Sequence, residues 1–193
     1  MEKLKEGFYQ RADVVQISKE LLGKYLMTHV NGQTTGGIIT ETEAYAGIRD
    51  QASHAYGDRR TSRTEIMYNK GGVAYVYLCY GIHHLFNVVT NKEGTPHAVL
   101  IRAIKPMDGM EIILKRIGVD GKSKTAVANG PGTVSKALGI HTRDSGIVLS
   151  GDRIWIEDRG VVVESSNIIA GPRIGVDYAG EDAKLPYRFR IRI

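Results

Sequence analysis

Two carboxylates stand two residues apart in the segment ITETEAY, at Glu41 and Glu43. On a β-strand they point to one face and Thr42 points to the other. One of them could then be a general base that activates a water molecule. Two solvent-facing acids on a half-buried strand fit the same spacing, which therefore leaves both interpretations open.

Tyrosines are the second chemical feature. Tyr45 follows Glu43 by two residues and shares its face on a strand. In the run AYVYLCYGIHHLFN, Tyr77 and Tyr80 lie three apart and diverge on one straight strand. A hairpin ending at Tyr80-Gly81 would let one tyrosine face a pocket while the other projects. Projecting side chains are what base-flipping and DNA-bending proteins insert between bases; buried tyrosines bonded through their hydroxyls are the alternative.

Two segments could contact phosphate groups. The loop DRRTSR combines arginines with hydroxyls, both of which match phosphate oxygens; its candidates are Arg59, Thr61 and Arg63. The turn NGPG at 129–132 precedes a predicted helix and could present backbone N–H groups at Gly130 and Gly132. A solvated basic loop and a common Gly-Pro-Gly turn explain the same residues.

Metal and nucleotide cofactors find no support in the motifs. His83 and His84 are adjacent and diverge on a strand, and no H-x-x-x-H or H-E-x-x-H is present. Neither a Walker A loop nor G-x-G-x-x-G occurs. We therefore expect no metal and no cofactor. Cys79 is the one cysteine, so it forms no disulfide within the chain; with Val76 and Leu78 it is expected in the core.

The elements that would position these groups are mostly strands. Asp13 and Gly23 bracket a predicted helix, and NGQ at 31–33 predicts a hairpin turn. Residues 46–72 predict a long functional loop with one short helix. HAVLIRAIKP predicts a strand that ends at Pro106, and Asp108 is expected to cap a helix that ends at Gly118.

The remaining third of the chain is expected to add one short helix and several strands. NGPGTVSKALGI predicts the helix, and the alternating segments SGIVLSGDRIWIED, VVVESSNIIAGPRIGV and YRFRIRI predict strands.

Composition is typical of one globular domain over residues 1–193. The chain is 42% hydrophobic and 24% charged, and 26 Lys+Arg against 21 Asp+Glu give a net charge of +5. A basic balance favours polyanionic partners such as nucleic acid. The segment MEKLKEGFYQ lacks the apolar core of a signal peptide, and no run is long enough to cross a bilayer. We expect no membrane partner and a cytoplasmic location, the nucleoid region included if the source is bacterial.

A series of motifs spans nearly the whole chain. In order, it consists of ETEAY, the histidine nine residues later, YVYLCYG, Asn87, VLIRAIKP, NGPG with ALGI, GPRIGV, YAGE and LPYRF. This series resembles the alkyladenine (3-methyladenine/hypoxanthine) DNA glycosylase family. The resemblance implies a mixed α/β (α+β) fold: one compact domain with a curved, mainly antiparallel sheet, flanking helices and a protruding β-hairpin. Asp182, just after YAGE, departs from the larger residue expected there.

The resemblance also assigns roles. It implies that Glu43 activates the attacking water, with Arg102 and the main chain at Ile174 helping to hold it. Tyr45 and Tyr77 would sandwich the flipped base, and His54 would line the pocket. Tyr80 would intercalate where the base has left. Asn87 would exclude guanine by crowding its 2-amino group.

The implied function is a monofunctional enzyme of base excision repair, acting as a monomer on double-stranded DNA that contains damaged purines. It would remove alkylated bases such as 3-methyladenine and deaminated ones such as hypoxanthine, and leave an abasic site. Two alternatives stay open: a non-catalytic nucleic-acid-binding module, and a glycosylase-lyase that uses a lysine. A binding module has no need of a carboxylate beside stacking tyrosines.

Overall fold

An antiparallel sheet forms the centre of the molecule in a computed structural model that describes residues 2–119 and 128–192. The expected mixed α/β fold with a curved antiparallel sheet is confirmed. The strands are Glu2–Lys3 (β1), Tyr25–Val30 (β2), Gln33–Tyr45 (β3), Ala74–Cys79 (β4), His83–Thr90 (β5), His97–Asp108 (β6), Ile154–Asp158 (β7), Ile169–Gly171 (β8) and Arg188–Arg190 (β9). Within the described ranges the strand order is β1-β7-β2-β3-β6-β5-β4, and β9 pairs with both β3 and β8.

Helices flank this sheet, and three short 3-10 turns replace the single short helix expected in the loop after β3. The α-helices are Glu6–Tyr9 (α1), Val14–Glu20 (α2), Met110–Ile117 (α3) and Pro131–Leu138 (α4). The 3-10 turns of that loop are Gly47–Arg49, Tyr56–Asp58 and Glu65–Tyr68, and further 3-10 segments later in the chain are Thr142–Asp144, Ser165–Asn167 and Asp177–Lys184. Within the described ranges, none of the helices is both long and apolar enough to span a bilayer.

Helix α2 fixes the strand that carries the paired carboxylates. It begins as predicted, because the Asp13 side chain accepts a hydrogen bond from the Gln16 N–H at 2.9 Å. The Ser18 hydroxyl donates a hydrogen bond to the Thr42 hydroxyl at 2.9 Å, and the Thr42 hydroxyl donates to the Ser18 carbonyl. Thr42 therefore faces α2, and its neighbours in β3 face the other side of the sheet.

The predicted hairpin between β4 and β5 is confirmed. The Ile82 N–H donates to the Cys79 carbonyl at 3.1 Å, and φ is positive at Tyr80 (51°) and Gly81 (74°), as in a type I′ turn. Val76 is buried as expected. The same expectation is wrong for Leu78, which is 45% exposed, and for Cys79, which is half-buried beside a cavity.

The predicted end of β6 at Pro106 is wrong, because the strand continues to Asp108. Strand β5 pairs with β6 only as far as Leu100, so Pro106 has no β5 neighbour that needs its missing N–H. Asp108 does not cap α3; Gly109 occupies that position, and the Asp108 carboxylate pairs with Arg159 at 2.8 Å. The predicted end of α3 at Gly118 is correct.

The C-terminal third contains fewer strand residues than its alternating pattern predicts. Only β7, β8 and β9 form there within the described residues, and Ile193 lies outside them. Val161 and Val163 do alternate with the 80%-exposed Val162 and pack against the body of the protein. Their segment does not form a strand. The alternating pattern therefore correctly predicted which side chains pack against the protein, but its prediction of a β-strand here was wrong.

Candidate active site

A cavity of about 560 Å³ lies between the β4–β5 hairpin, the central strands and the start of α4. Its wall gathers most of the residues singled out from the sequence, from segments far apart in the chain: Tyr45, His54, Tyr77, Tyr80, Asn87, Arg102, Gly130, Gly132 and Ile174. A concave, mostly apolar site with a few convergent polar groups is the usual form of a ligand site.

Glu43 lies behind this wall and is fully buried. Its Oε1 accepts a hydrogen bond from the Ile174 N–H at 2.8 Å, and its Oε2 accepts one from the Tyr45 hydroxyl at 2.8 Å. Burial raises the pKa of Glu43, while Arg102, the Ile174 N–H and the Tyr45 hydroxyl oppose that rise. A carboxylate has about four acceptor positions, so these contacts leave capacity for a water molecule.

Arg102 connects the two carboxylates of β3. Its Nε donates to Glu41 Oε1 at 2.9 Å and lies 3.4 Å from Glu43 Oε1. Arg188 adds a longer contact of 3.7 Å to Glu41. Glu41 thus holds Arg102 in place, and Arg102 partly compensates the negative charge of Glu43. The solvent-facing interpretation of this pair is wrong for Glu43.

Aromatic rings form one side of the cavity. Tyr75 and Tyr77 lie on one face of β4 with ring centroids 5.5 Å apart, and the His54 ring meets Tyr77 edge-on at 4.6 Å. His54 Nδ1 is bonded to the Tyr75 hydroxyl at 2.8 Å. Burial, with the nearby charges of Arg63 and Arg59, lowers the pKa of His54 to about 4, so its ring is neutral near pH 7. The role of Tyr75 was missed, although its two-residue spacing from Tyr77 indicated a shared face.

Asn87 is buried and rigidly held. Its amide nitrogen donates to the carbonyls of Tyr75 (3.1 Å) and Leu85 (3.2 Å). Both amide hydrogens are thereby used, and the side chain cannot easily move away from a ligand in the cavity.

Tyr80 stands at the tip of the hairpin and is 90% exposed, with the 71%-exposed Ile82 beside it. A bulky residue at positive φ is uncommon and concentrates at functional sites. The Tyr80 ring is therefore displayed by the turn itself rather than by side-chain packing.

Arg173 and Asp50 form a buried ion pair that sequence reasoning missed. The guanidinium group of Arg173 donates to both carboxylate oxygens of Asp50, at 2.5 and 2.8 Å, and also to the Ala44 carbonyl at 2.9 Å. Its central carbon lies 4.9 Å from the centroid of the Tyr45 ring. Since Ile174 follows Arg173 directly, the pair fixes both groups that donate to Glu43.

Asp182 belongs to the same arrangement. Its carboxylate accepts from the Gln51 N–H at 2.9 Å, and its carbonyl accepts from Arg173 at 3.1 Å. The small side chain that seemed out of place in the sequence therefore links the C-terminal segment to the loop after β3.

The phosphate-contact candidates lie in three places. Arg59 and Arg63 lie close enough to the cavity to lower the pKa of His54. Thr61 is instead bonded within its own turn, where its hydroxyl group accepts from the Thr64 N–H at 3.2 Å. Gly130 and Gly132 line the cavity at the start of α4.

Residues 7–193 match the family model of the methylpurine-DNA glycosylases, and the chain belongs to this family of hydrolases that cleave N-glycosyl bonds. A protein of Chlamydia felis (strain Fe/C-56) is 47% identical over 190 residues, which cover 98% of this chain and 96% of the relative. A protein of Bacillus cereus (strain AH820) is 46% identical over 190 residues, covering 95% and 92%. Both relatives are provisionally named 3-methyladenine DNA glycosylase. The family resemblance predicted from the motifs is confirmed.

Proposed function

We propose that this protein is a monofunctional DNA glycosylase of base excision repair that flips a damaged purine out of duplex DNA and hydrolyses its N-glycosidic bond. Alkylated bases such as 3-methyladenine and deaminated bases such as hypoxanthine are its substrates. The observation that carries the proposal is the buried Glu43, held by the Ile174 N–H, the Tyr45 hydroxyl and Arg102 behind a cavity with aromatic walls.

Glu43 supplies the base for hydrolysis. As the bond between C1′ and the purine nitrogen breaks, its electron pair leaves with the base and positive charge develops on the sugar. The carboxylate stabilises that charge and takes a proton from the water whose oxygen bonds to C1′. Because the raised pKa belongs to the group that must be ionised, base release should decline as the pH falls through it.

The cavity supplies the binding energy. Flipping a nucleotide costs a few kcal/mol, and less for damaged or mispaired bases. Stacking against Tyr45 and Tyr77 returns about 1–3 kcal/mol per base and suits many purines. His54 lines the pocket as a neutral ring, and the fixed Asn87 amide crowds the 2-amino group of guanine. Tyr80 fills the space that the base leaves in the duplex.

The remaining contacts are to the DNA backbone. Arg59 and Arg63 provide guanidinium groups beside the cavity, and Gly130 and Gly132 let the backbone of a DNA strand approach α4 closely. Thr61 contributes by holding the arginine loop in shape. Action as a monomer in the cytoplasm belongs to the same proposal, and a sedimentation measurement with and without DNA tests the monomeric state.

Release of hypoxanthine and 3-methyladenine from defined duplexes, followed by alkaline cleavage at the abasic site, tests the function. We expect release of at least one base, and no covalent adduct with DNA on borohydride treatment. An adduct would instead support a lysine-dependent lyase. Binding to the duplex without release of either base would instead support the alternative of a non-catalytic nucleic-acid-binding module.

A further inference from the structure

Another cavity, of about 350 Å³, adjoins the one that holds the base in our proposal. His83 and Gly132 line both cavities, while Tyr80 lines only the first and Ile82 only the second. A Cβ atom on Gly132 would lie 2.9 Å from His83 Nδ1, so the close fit of this dividing wall depends on glycine. The β4–β5 hairpin thus has a cavity on each side.

This basic cavity is lined by positive and imidazole side chains from α3, α4, β5 and the turn after α4, namely Arg116, Lys136, Arg143, His83, His84 and His141. Within the described residues of the chain, none of those that line it carries a carboxylate. The nearby Asp144 is already paired with Arg153 at 2.7 Å.

The cationic groups have neutral partners. Arg116 donates to the Thr35 hydroxyl at 3.0 Å and to the Ala137 carbonyl at 3.2 Å. Lys136 Nζ donates to the Ile117 carbonyl at 3.2 Å. These bonds orient the side chains without cancelling their charge. The pKa of His141 is lowered by burial and by the neighbouring His84 and Arg143, as expected in a region of positive potential.

The histidines of this cavity add hydrogen-bond donors whose orientation is fixed by neighbouring groups. The Thr142 N–H donates to His84 Nδ1 at 3.2 Å, so Nε2 is the His84 ring nitrogen that can carry a donating N–H. The His84 and His141 rings meet edge to face with centroids 4.8 Å apart. His83 and His84, which have no role in the proposed function, thus both line the second cavity, and His83 lines the base cavity as well.

We propose that the basic cavity holds a backbone phosphate of the DNA strand opposite the damaged base. The inference rests on the proposed function. Guanidinium, ammonium and imidazole groups are phosphate donors, and a duplex placed astride the hairpin has one strand on each side of it. Contacts on both sides of the hairpin would oppose displacement of the duplex when a projecting tyrosine is inserted between its bases.

The salt dependence of DNA binding tests the site. We compare the double variant Lys136→Ala/Arg143→Ala with the charge-matched control Lys5→Ala/Lys70→Ala, whose lysines pair with exposed carboxylates elsewhere. Each phosphate that is no longer neutralised should decrease the magnitude of the slope of log Kobs against log salt by about 0.9. We expect such a decrease in the first double variant and a wild-type slope in the control. Equal slopes in both double variants would overturn the proposal.

Neutral methylphosphonate linkages, introduced into one DNA strand at a time, show which strand the basic cavity contacts. Placed opposite the lesion, they should weaken binding of the wild type and have little further effect on Lys136→Ala/Arg143→Ala, because the two changes remove the same interaction. An effect confined to the damaged strand would contradict the assignment. The cavity could instead bind free phosphate, and titration with inorganic phosphate, followed through the His141 ring signals, tests this. Phosphate binding together with an unchanged salt dependence of DNA binding would overturn the proposal, because it would mean an anion site unrelated to DNA.

Base release is measured separately on the same preparations. If the wild type releases no base but the two double variants still differ in salt slope, the glycosylase proposal fails and the phosphate site stands. If base is released and the slopes agree, the phosphate site fails alone.

Discussion

Glu43 and Tyr80 lie in contrasting regions of one sheet. Glu43 is on β3, a central strand paired with β2, β6 and β9, and its carboxylate is fully buried and hydrogen-bonded on both oxygens. Tyr80 is at the tip of the hairpin formed with the edge strand β4 and is 90% exposed. The Glu43 carboxylate, the proposed general base, is thus held by its buried surroundings, whereas Tyr80, the residue proposed to insert into DNA, is positioned by a backbone turn. Substitutions should therefore affect rate and stability differently in the two regions.

The largest effect is expected for Glu43→Gln. If Glu43 is the general base as we propose, its loss should slow base release by about 10²–10⁴-fold, while binding to a damaged duplex persists. Single-turnover release and fluorescence anisotropy measure the two quantities. Glu41→Gln, on the same face of β3, is the matched control and should cost less because it acts only through Arg102. Unchanged release by Glu43→Gln would refute the mechanism.

The next largest effect is expected for Asp50→Asn, which should lower the free energy of unfolding. Removing one partner of a buried ion pair costs about 3–5 kcal/mol, since the Arg173 charge stays buried without compensation. Urea unfolding measures the free energy. The control Asp152→Asn breaks the exposed pair with Lys3 and should change it by less than about 0.5 kcal/mol. Similar losses in both variants would show that the buried pair is not a special support of the Glu43 site.

Tyr80→Ala should weaken base flipping by about 1–3 kcal/mol, the range for one stacking interaction, and leave the unfolding free energy within about 0.5 kcal/mol of wild type. A fluorescent base placed beside the lesion reports flipping. Val162→Ala, another exposed apolar side chain, is the control. A preserved flipping equilibrium in Tyr80→Ala would remove its assigned role.

The smallest effect is a pH trend in stability. Burial raises the pKa of Glu43 in the folded protein, so this group contributes stability below its ordinary pKa that is lost as the pH rises through the raised value. Glu43→Gln cannot ionise and should therefore gain thermal stability relative to wild type at neutral pH, and gain less at acid pH. Unfolding midpoints across that range measure the trend. Tyr80→Ala should show no such trend, and a trend of the opposite sign in Glu43→Gln would contradict the raised pKa.

Local patterns predicted the features of the site that depend on strand alternation. Glu43 and Tyr45 on one face, and a hairpin at Tyr80-Gly81, follow from two-residue spacing and turn chemistry. The Arg173–Asp50 pair joins residues 123 positions apart, so no local pattern could show it. The strand through Pro106 was missed for a similar reason: whether a proline is tolerated depends on which neighbours the strand has.

The turn at Tyr80 has a consequence for the search along DNA. If Tyr80 inserts into DNA as we propose, the positive φ at two successive residues has already set the direction of its Cα–Cβ bond, so insertion requires no loop to become ordered and its entropic cost is reduced in advance. A protein that slides on phosphates can then probe successive base pairs with one rigid element. On our proposal, intact base pairs would resist insertion of the tyrosine and weakened pairs would give way, so that some of the discrimination between intact and damaged DNA would take place before any base reaches the cavity.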